Sequence, residues 1–289
     1  MAFRLLPDEP PQEGLPRSAA EEYDKAIAHL AGPAEERQTA VHEARKCLKR
    51  IRALLRLVRP ALGKRYKREN AQLREIAALL SPYRDADAML ELLASLRQSR
   101  PEMLDERMYA QAHAALQGRR DELVRADEGY PPVARMAIER LRAARQGLET
   151  WHLPANPEIL EAALRDSYRR ARKAGKRATA SNEVEDYHDW RKRVKELLYQ
   201  SDLFRNTRLG PPARYRKQLD SLAELLGEHH DLSVFEELLA TPAIFPDRAH
   251  AEQVLALVGH RRHELEQQAG EIRKALFSTK PGRYFGGEE

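Results

Sequence analysis

The chain has 289 residues, of which 33% are charged and 6% are aromatic, and its formal net charge at pH 7 is +5. Abundant Leu, Ala, Arg and Glu beside few aromatic and β-branched residues predict an all-α protein with one large domain or two smaller ones. A single cysteine excludes an internal disulfide, and because no stretch approaches the ~18 apolar residues of a membrane span, we expect a cytoplasmic protein without membrane contact.

A stretch rich in proline and acidic residues comes first in the chain. Residues 1–17 are predicted to be a disordered leader, after which glycines and prolines divide a nearly continuous helical periodicity. The predicted helices are 18–31, 35–59, 65–81, 84–99, 102–126, 132–149, 156–177, 183–207, 212–228, 231–240 and 247–277. Residues 278–289 are predicted to be a flexible tail.

The predicted helix 35–59 carries a positive charge that is almost uncompensated. Its segment HEARKCLKRIRALLRLVR, residues 42–59, holds seven Arg and Lys residues and a single acid. One arc of this helix, about 100° wide, contains His42, Arg45, Lys46, Lys49, Ala53 and Arg56. A solvated helix usually mixes Glu with Lys four residues apart, so these repeated like charges indicate a surface that a ligand neutralises.

The predicted helix 183–207 repeats this pattern at an offset of 146 residues, as from position 42 to position 188. The matched positions are His42 with His188, Arg45 with Arg191, Lys46 with Lys192, and Lys49 with Lys195. The register continues without a gap, since Leu73 matches Leu219 and Asp85 matches Asp231. Such a tandem duplication predicts two four-helix-type bundles, residues 18–150 and 154–277, with an approximate two-fold axis and a basic central channel between them.

A third basic surface lies on the predicted helix 156–177. Spacings of four, three and four residues place four cations in one stripe about 16 Å long. These cations are Arg165, Arg169, Arg172 and Lys176. Rows of Arg and Lys beside histidine suit a linear polyanion, because arginine binds phosphate through two N–H groups and lysine acts as a point charge.

Inorganic polyphosphate and nucleic acid both match this charge. The basic arcs contain almost no aromatic residue apart from Tyr199, whereas single-stranded nucleic acid usually stacks on aromatic side chains. Polyphosphate binding is therefore the leading prediction, and RNA or DNA backbone binding is the alternative. A phosphohydrolase acting on phosphate chains is a second alternative, although the sequence has no phosphate-binding Gly loop and no cluster of acids on a basic face.

We expect no catalytic residue, no metal site and no cofactor. His229 and His230 precede Asp231 at a predicted helix start, where Asp231 would cap the helix as Asp85 does in the first copy. Cys47 lies on the apolar arc of its helix and is predicted to be a buried core residue.

The two basic helices and the elements that follow them resemble the CHAD domain (conserved histidine α-helical domain). HEARKCLKRIR and HDWRKRVKELL are each followed by a Leu-rich helix and then by LSPYRDADAMLELL or LGEHHDLSVFEELL. The resemblance extends from residue 18 to about residue 277. The leader has no Glu-x-Glu-x-Lys motif, which marks the CYTH-type phosphohydrolase domain that often precedes a CHAD domain, so we expect a CHAD domain without a CYTH domain.

The resemblance implies two helical bundles with pseudo-two-fold symmetry and a basic channel between them that binds inorganic polyphosphate. By position, the implied ligand face is His42, Arg45, Lys46, Lys49, Arg52, Arg56, His188, Arg191, Lys192 and Lys195, with Arg165, Arg169, Arg172 and Lys176 lining the same channel. The second copy departs from the pattern at two points. Leu198 stands where Arg52 would repeat, and His230 stands where Arg84 would repeat.

Overall fold

The computed structural model describes residues 3–125, 130–153, 156–279 and 285, and this part of the chain is all-α, as predicted. Its α-helices are α1 (Pro11–Leu30), α2 (Arg37–Leu57), α3 (Arg59–Leu62), α4 (Lys64–Ser99), α5 (Glu106–Arg125), α6 (Tyr130–Gln146), α7 (Pro157–Ser181), α8 (Val184–Leu203), α9 (Ala213–Leu239) and α10 (Arg248–Leu276). Short 3-10 helices, Ala34–Glu36 and Gly147–Thr150, connect α1 to α2 and follow α6.

The predicted disordered leader is largely ordered. α1 begins at Pro11, because a proline is tolerated in the first helical turn, where its missing N–H costs nothing. Leu15 and Leu5 are buried in the core, and the backbone N–H of Leu5 donates to the carbonyl oxygen of Leu203 on α8 (2.8 Å). The prediction is therefore wrong for residues 3–17, because Leu5 and Leu15 contribute buried apolar area that composition alone did not reveal.

The predicted flexible tail is described only at residues 278, 279 and 285; the rest of it lies outside the described residues. Phe285 is fully buried, with its ring in edge contact with the rings of Tyr168 (6.2 Å) and Tyr215 (6.0 Å) between centroids. At this residue the prediction of a flexible tail is wrong, because the aromatic ring fills the core between two other aromatic rings.

Two predicted helix breaks are absent. α4 continues through Pro82, and α9 continues through His230 and Asp231. Near Pro82 the carbonyl oxygen of Ala77 accepts hydrogen bonds from Arg45 Nη1 (2.7 Å) and from Ser81 Oγ (3.0 Å), so this turn of α4 gains donors from side chains. Asp85 and Asp231 consequently lie inside helices, and their predicted role as helix caps is wrong.

The helices recur at the offset of 146 residues that the sequence shows. α1, α2, α4 and α5 of the first copy correspond to α7, α8, α9 and α10 of the second, as α2 (Arg37–Leu57) does to α8 (Val184–Leu203). In both copies the first helix packs on the second, and the third packs on the fourth. α6 has no counterpart among the described helices and packs on α1 and α4.

Two buried cores hold the helices together, and both draw on the two copies. The first core joins α1, α2, α6, α7 and α8 with the N-terminal halves of α4 and α9. The second joins the C-terminal halves of α4 and α9 with α5 and α10, so Leu93 shares a core with Phe235. The packing thus crosses the predicted boundary between residues 18–150 and 154–277, and the approximate two-fold axis stays a prediction.

Candidate functional site

The amphipathic helix α2 carries the first set of predicted site residues. Its apolar face, including Val41, Leu48 and Ile51, is buried in the first core, and its basic face lies between α4 and α8, both of which pack against α2. Cys47 is buried, as predicted, and burial raises the pKa of its thiol to about 12. The apolar stripe therefore fixes the direction in which the basic face points.

The two basic helices bring distant cations together. Lys49 on α2 lies near Arg191 and Lys195 on α8, and desolvation together with these charges lowers the pKa of Lys49 to about 8. The pKa of Lys195 is also lowered, first by desolvation and then by Arg191. We call the cations at this meeting of the two helices the central cluster. Its members are Arg45, Lys49, Arg52, Arg191 and Lys195.

Among the described residues no carboxylate forms a direct ion pair with the central cluster, although Asp85 acts on Arg45, and Asp220 and Glu224 act on Lys195, from further away. Within the described part of the chain, none of its five cations has a carboxylate oxygen within 4.0 Å. Arg45 donates to neutral acceptors, the Ala77 carbonyl and Ser81 Oγ (both 2.7 Å), and Arg52 Nε donates to Asn70 Oδ1 (3.1 Å). Arg191 Nε is buried without a hydrogen-bond partner among the described residues. The positive charge of this surface therefore remains available to a ligand.

Cations of the central cluster combine contact with solvent and a strong effect of desolvation on their pKa values. Lys49 is solvent-exposed, and Arg45, Arg52 and Lys195 are half-buried, yet desolvation is the largest cause of the lowered pKa of each of these four groups. An ammonium group that reaches water while protein surrounds it on several sides has these two properties together. A ligand can thus approach Lys49 directly and still be surrounded by protein.

Two further residues of this region were absent from the predicted site, Arg84 and His230. Arg84 on α4 lies near His42 and Lys49, and Glu91 holds its guanidinium through two contacts of 2.8 Å. His230 on α9 occupies the same position in the second copy. The signal that could have found them is the second repeated element, LSPYRDADAMLELL and LGEHHDLSVFEELL, in which both residues occur.

Three histidines at this surface have lowered pKa values. Desolvation is the main cause for each, followed by Arg84 for His42, Lys192 for His188, and Arg191 for His230, whose pKa falls to about 4. His188 Nδ1 lies 3.2 Å from His230 Nδ1. These imidazoles are therefore neutral near pH 7 in the free protein, so they contribute hydrogen bonds rather than charge.

Other predicted residues already have carboxylate partners. Glu43 lies 3.4 Å from Lys46 Nζ and 3.9 Å from His42 Nε2. Arg56 Nη1 lies 3.1 Å from Glu196 Oε2 on α8. The expectation of an uncompensated basic arc is therefore wrong at Lys46 and Arg56.

The cationic stripe on α7 stays apart from the central cluster among the described contacts. Arg165 pairs with Glu161 one turn earlier, while Arg169 and Lys176 are exposed and Arg172 is half-buried. Arg170, a neighbour of the stripe on α7, contacts Glu196 on α8 (3.1 Å). That the stripe lines the same channel stays a prediction.

The remaining histidines and acids form structural contacts. His229 Nε2 lies 3.1 Å from the buried Glu266 Oε1, and the ring of His229 stacks on Tyr187 with centroids 4.6 Å apart. Among the residues that the structure describes, no three or more His, Cys, Asp or Glu side chains are grouped to hold a metal ion. Nor is any described helix long and apolar enough to cross a membrane.

Comparison with known proteins identifies the family of this fold. The sequence profile of the CHAD domain matches residues 17–240. The crystal structure of the CHAD domain from the plant Ricinus communis superposes with a TM-score of 0.65 at 19% sequence identity, covering 97% of this chain and 96% of that chain.

Two curated relatives also match, Uncharacterized protein MT2285 of Mycobacterium tuberculosis strain CDC 1551 / Oshkosh and Uncharacterized protein Rv2226 of strain ATCC 25618 / H37Rv. Each is 26% identical over 264 residues, which cover 83% of this chain and 48% of the relative. The chain therefore spans about half the length of these relatives. Because the profile matches most of the chain and the fold agrees with a solved CHAD structure, the protein belongs to the CHAD domain family.

Proposed function

We propose that this CHAD domain binds inorganic polyphosphate at the central cluster without catalysing a reaction on it. The observation that carries the proposal is the meeting of five cations from both copies with no carboxylate within 4.0 Å in the described chain. Like charges held this close repel one another, and a ligand with regularly spaced negative charge removes the repulsion. Phosphate oxygens are also strong acceptors for guanidinium and ammonium N–H groups such as those of Arg191 and Lys49.

The surroundings of the cluster favour phosphate over nucleic acid. Its aromatic neighbours include Tyr199 on α8, which is half-buried and has a pKa raised first by desolvation, and the half-buried Tyr66 on α4, which acts on Arg52. Single-stranded nucleic acid gains much of its affinity from bases that stack on exposed aromatic rings. The chemistry of this surface consists of guanidinium, ammonium and imidazole groups, which suit a ligand without bases.

The same surroundings favour binding over catalysis. Phosphoryl-transfer enzymes place metal-bridging carboxylates or a phosphate-binding loop next to the reacting phosphate. The charges that act most strongly on Lys49 belong to Arg45, Arg191, Arg84 and Lys195, all of which are cations. A phosphate chain at Lys49 would thus meet donors that hold it, while the carboxyl groups of this region, among them Asp85 and Asp220, lie more than 4.0 Å from the five cations of the cluster.

Calorimetric titration with long-chain polyphosphate at two salt concentrations tests the proposal. If all five cations engage phosphate, counterion release predicts that affinity falls about 100-fold between about 50 mM and about 200 mM salt. Competition with an RNA or DNA oligonucleotide, and an assay of phosphate release with Mg²⁺ or Mn²⁺, test the two alternatives. Absence of salt-sensitive binding contradicts the proposal, tighter binding of the oligonucleotide favours nucleic acid, and phosphate release favours the phosphohydrolase.

A further inference from the structure

One carboxylate reaches the basic face of α2 from the neighbouring copy, and three arginines hold it. Glu196 on α8 lies 3.1 Å from Arg56 of α2, 3.1 Å from Arg170 of α7, and 3.7 Å from Arg193 of its own helix. Its side chain is only 12% exposed. A single buried acid is thus surrounded by cations from three helices.

Between this acid and Lys49, α2 and α8 pack closely, while Glu196 still acts on Arg52 at the near end of the central cluster. Between Lys49 and Arg56 on α2, Ala53 is 4% exposed, and its carbonyl oxygen accepts a hydrogen bond from the buried Gln200 Nε2 of α8 (3.0 Å). The sequence pattern placed Ala53 on the basic arc, whereas the structure covers it with α8. The surface that is open at Lys49 is therefore closed one turn further along the helix.

Helix pairing alone does not require an acid at position 196. The equivalent position in the first copy is Arg50, which pairs with the buried Glu22 on α1 (3.1 Å). The first pair of helices in each copy is thus joined by an ion pair, but the acid and the base have exchanged helices. In the second copy the exchange places the carboxylate on the helix that faces Arg56.

Among the described residues, Arg56 depends on Glu196 more than the other two arginines do. Arg170 also contacts Asp166 (3.4 Å), and Arg193 also contacts Asp189 (3.5 Å). Arg56 has no other carboxylate within 4.0 Å in the described chain. Glu196 therefore occupies the position at Arg56 that an anionic group of a ligand would otherwise take.

We propose that Glu196 ends the path of the phosphate chain, so that the ligand lies over the central cluster and stops before Arg56 and the cationic stripe on α7. This inference rests on the proposed function. It makes Glu196 a residue that determines chain-length preference: once a chain spans the central cluster, further phosphates meet a carboxylate instead of a free guanidinium, and their addition no longer raises affinity.

The variant Glu196→Gln tests this, since it keeps the side chain's size and removes its charge. Calorimetry with tripolyphosphate and with longer chains of defined length gives affinity as a function of length. We expect the affinity of the original chain to level off with length, and that of Glu196→Gln to continue rising to about tenfold higher for long chains. The salt dependence of the variant should steepen by about one released counterion.

A second variant keeps the test decisive if Glu196→Gln fails to fold. Arg56→Met in the original chain should leave affinity for long chains within about twofold, because Glu196 already occupies Arg56, whereas in the Glu196→Gln background it should remove the gain. An unchanged length dependence in Glu196→Gln, or a tenfold loss from Arg56→Met alone, overturns the inference. If the original chain does not bind polyphosphate, the proposed function fails as well; if it binds and only these variants disagree, the inference alone fails.

Discussion

The ammonium group of Lys49 loses its proton at a pH only slightly above neutral. In the free protein its pKa is lowered to about 8, first by desolvation and then by the cations around it. A bound phosphate favours the protonated ammonium and raises this pKa again, so binding near pH 8 takes up a proton. We expect affinity for polyphosphate to fall about tenfold between about pH 7 and about pH 9, as free Lys49 loses its proton.

Calorimetry in buffers of different ionisation enthalpy measures this proton uptake directly. The matched control is Lys49→Arg, because arginine keeps its charge over the whole range and should flatten the pH dependence. If Lys49→Arg shows the same fall in affinity with pH as the original chain, a group other than Lys49 causes the pH dependence.

Lys49 and Lys195 are also the residues whose charge reversal should be most harmful to binding. The double variant Lys49→Glu with Lys195→Glu replaces two ammonium groups of the central cluster by carboxylates. We expect affinity at low salt to fall by at least about 100-fold, with helicity by circular dichroism unchanged because Lys49 is exposed and Lys195 half-buried.

The control for this reversal is Arg119→Glu with Lys274→Glu, which makes the same change in net charge at exposed positions of α5 and α10. Long-range electrostatics affects both double variants equally, so the control should lose far less affinity. Equal losses in the two variants would show that net charge, rather than this surface, determines binding.

At the scale of the element, the sequence predicted the helical class and most helix positions, but it divided α4 and α9 in two. A proline inside a helix removes one backbone hydrogen bond and costs about 3 kcal/mol, so Pro82 was interpreted as a break. The carbonyl that Pro82 leaves without its helical donor is that of Ala78, and in the same turn Arg45 and Ser81 both donate to the neighbouring Ala77 carbonyl. The contact from Arg45 joins two helices and cannot be found from local periodicity.

Pro82 provides a test of this account. Its side chain is exposed, so Pro82→Ala loses little packing and restores a backbone donor inside α4. We expect the free energy of unfolding, measured with urea, to rise by about 1 kcal/mol, with polyphosphate affinity unchanged because Arg45 keeps its acceptors. A decrease in stability would indicate that the fold depends on the proline for the local geometry of α4.

The charge pattern of single helices predicted the central cluster well and its neighbours less well. Lys49, Arg191 and Lys195 were found because the repeated spacing places them on one face of each helix. Glu196 was missed, since its importance comes from residues on other helices that lie far away in sequence. A helical wheel gives the direction of each side chain but does not identify the helix that it meets.

At the scale of the whole molecule, the duplication was visible in sequence, whereas the shared cores were not. Periodicity shows that α4 and α9 each have an apolar face, but not that Leu93 and Phe235 would share a core. The N-terminal residues give the same lesson, because Leu5 reaches α8 of the other copy through a backbone hydrogen bond. The shared cores and the order of the N-terminal residues therefore depend on packing between the copies, which local sequence patterns do not show.

The repulsion within the central cluster also affects the stability of the free protein. Coulomb repulsion among its cations subtracts from the free energy of folding, so the free chain is less stable than one with a neutral surface at the same place. A polyanion that binds only the folded state would raise the free energy of unfolding by mass action. If polyphosphate binds as proposed, we expect the melting temperature to rise with its concentration, and substitutions that remove these charges to stabilise the free chain while abolishing this rise.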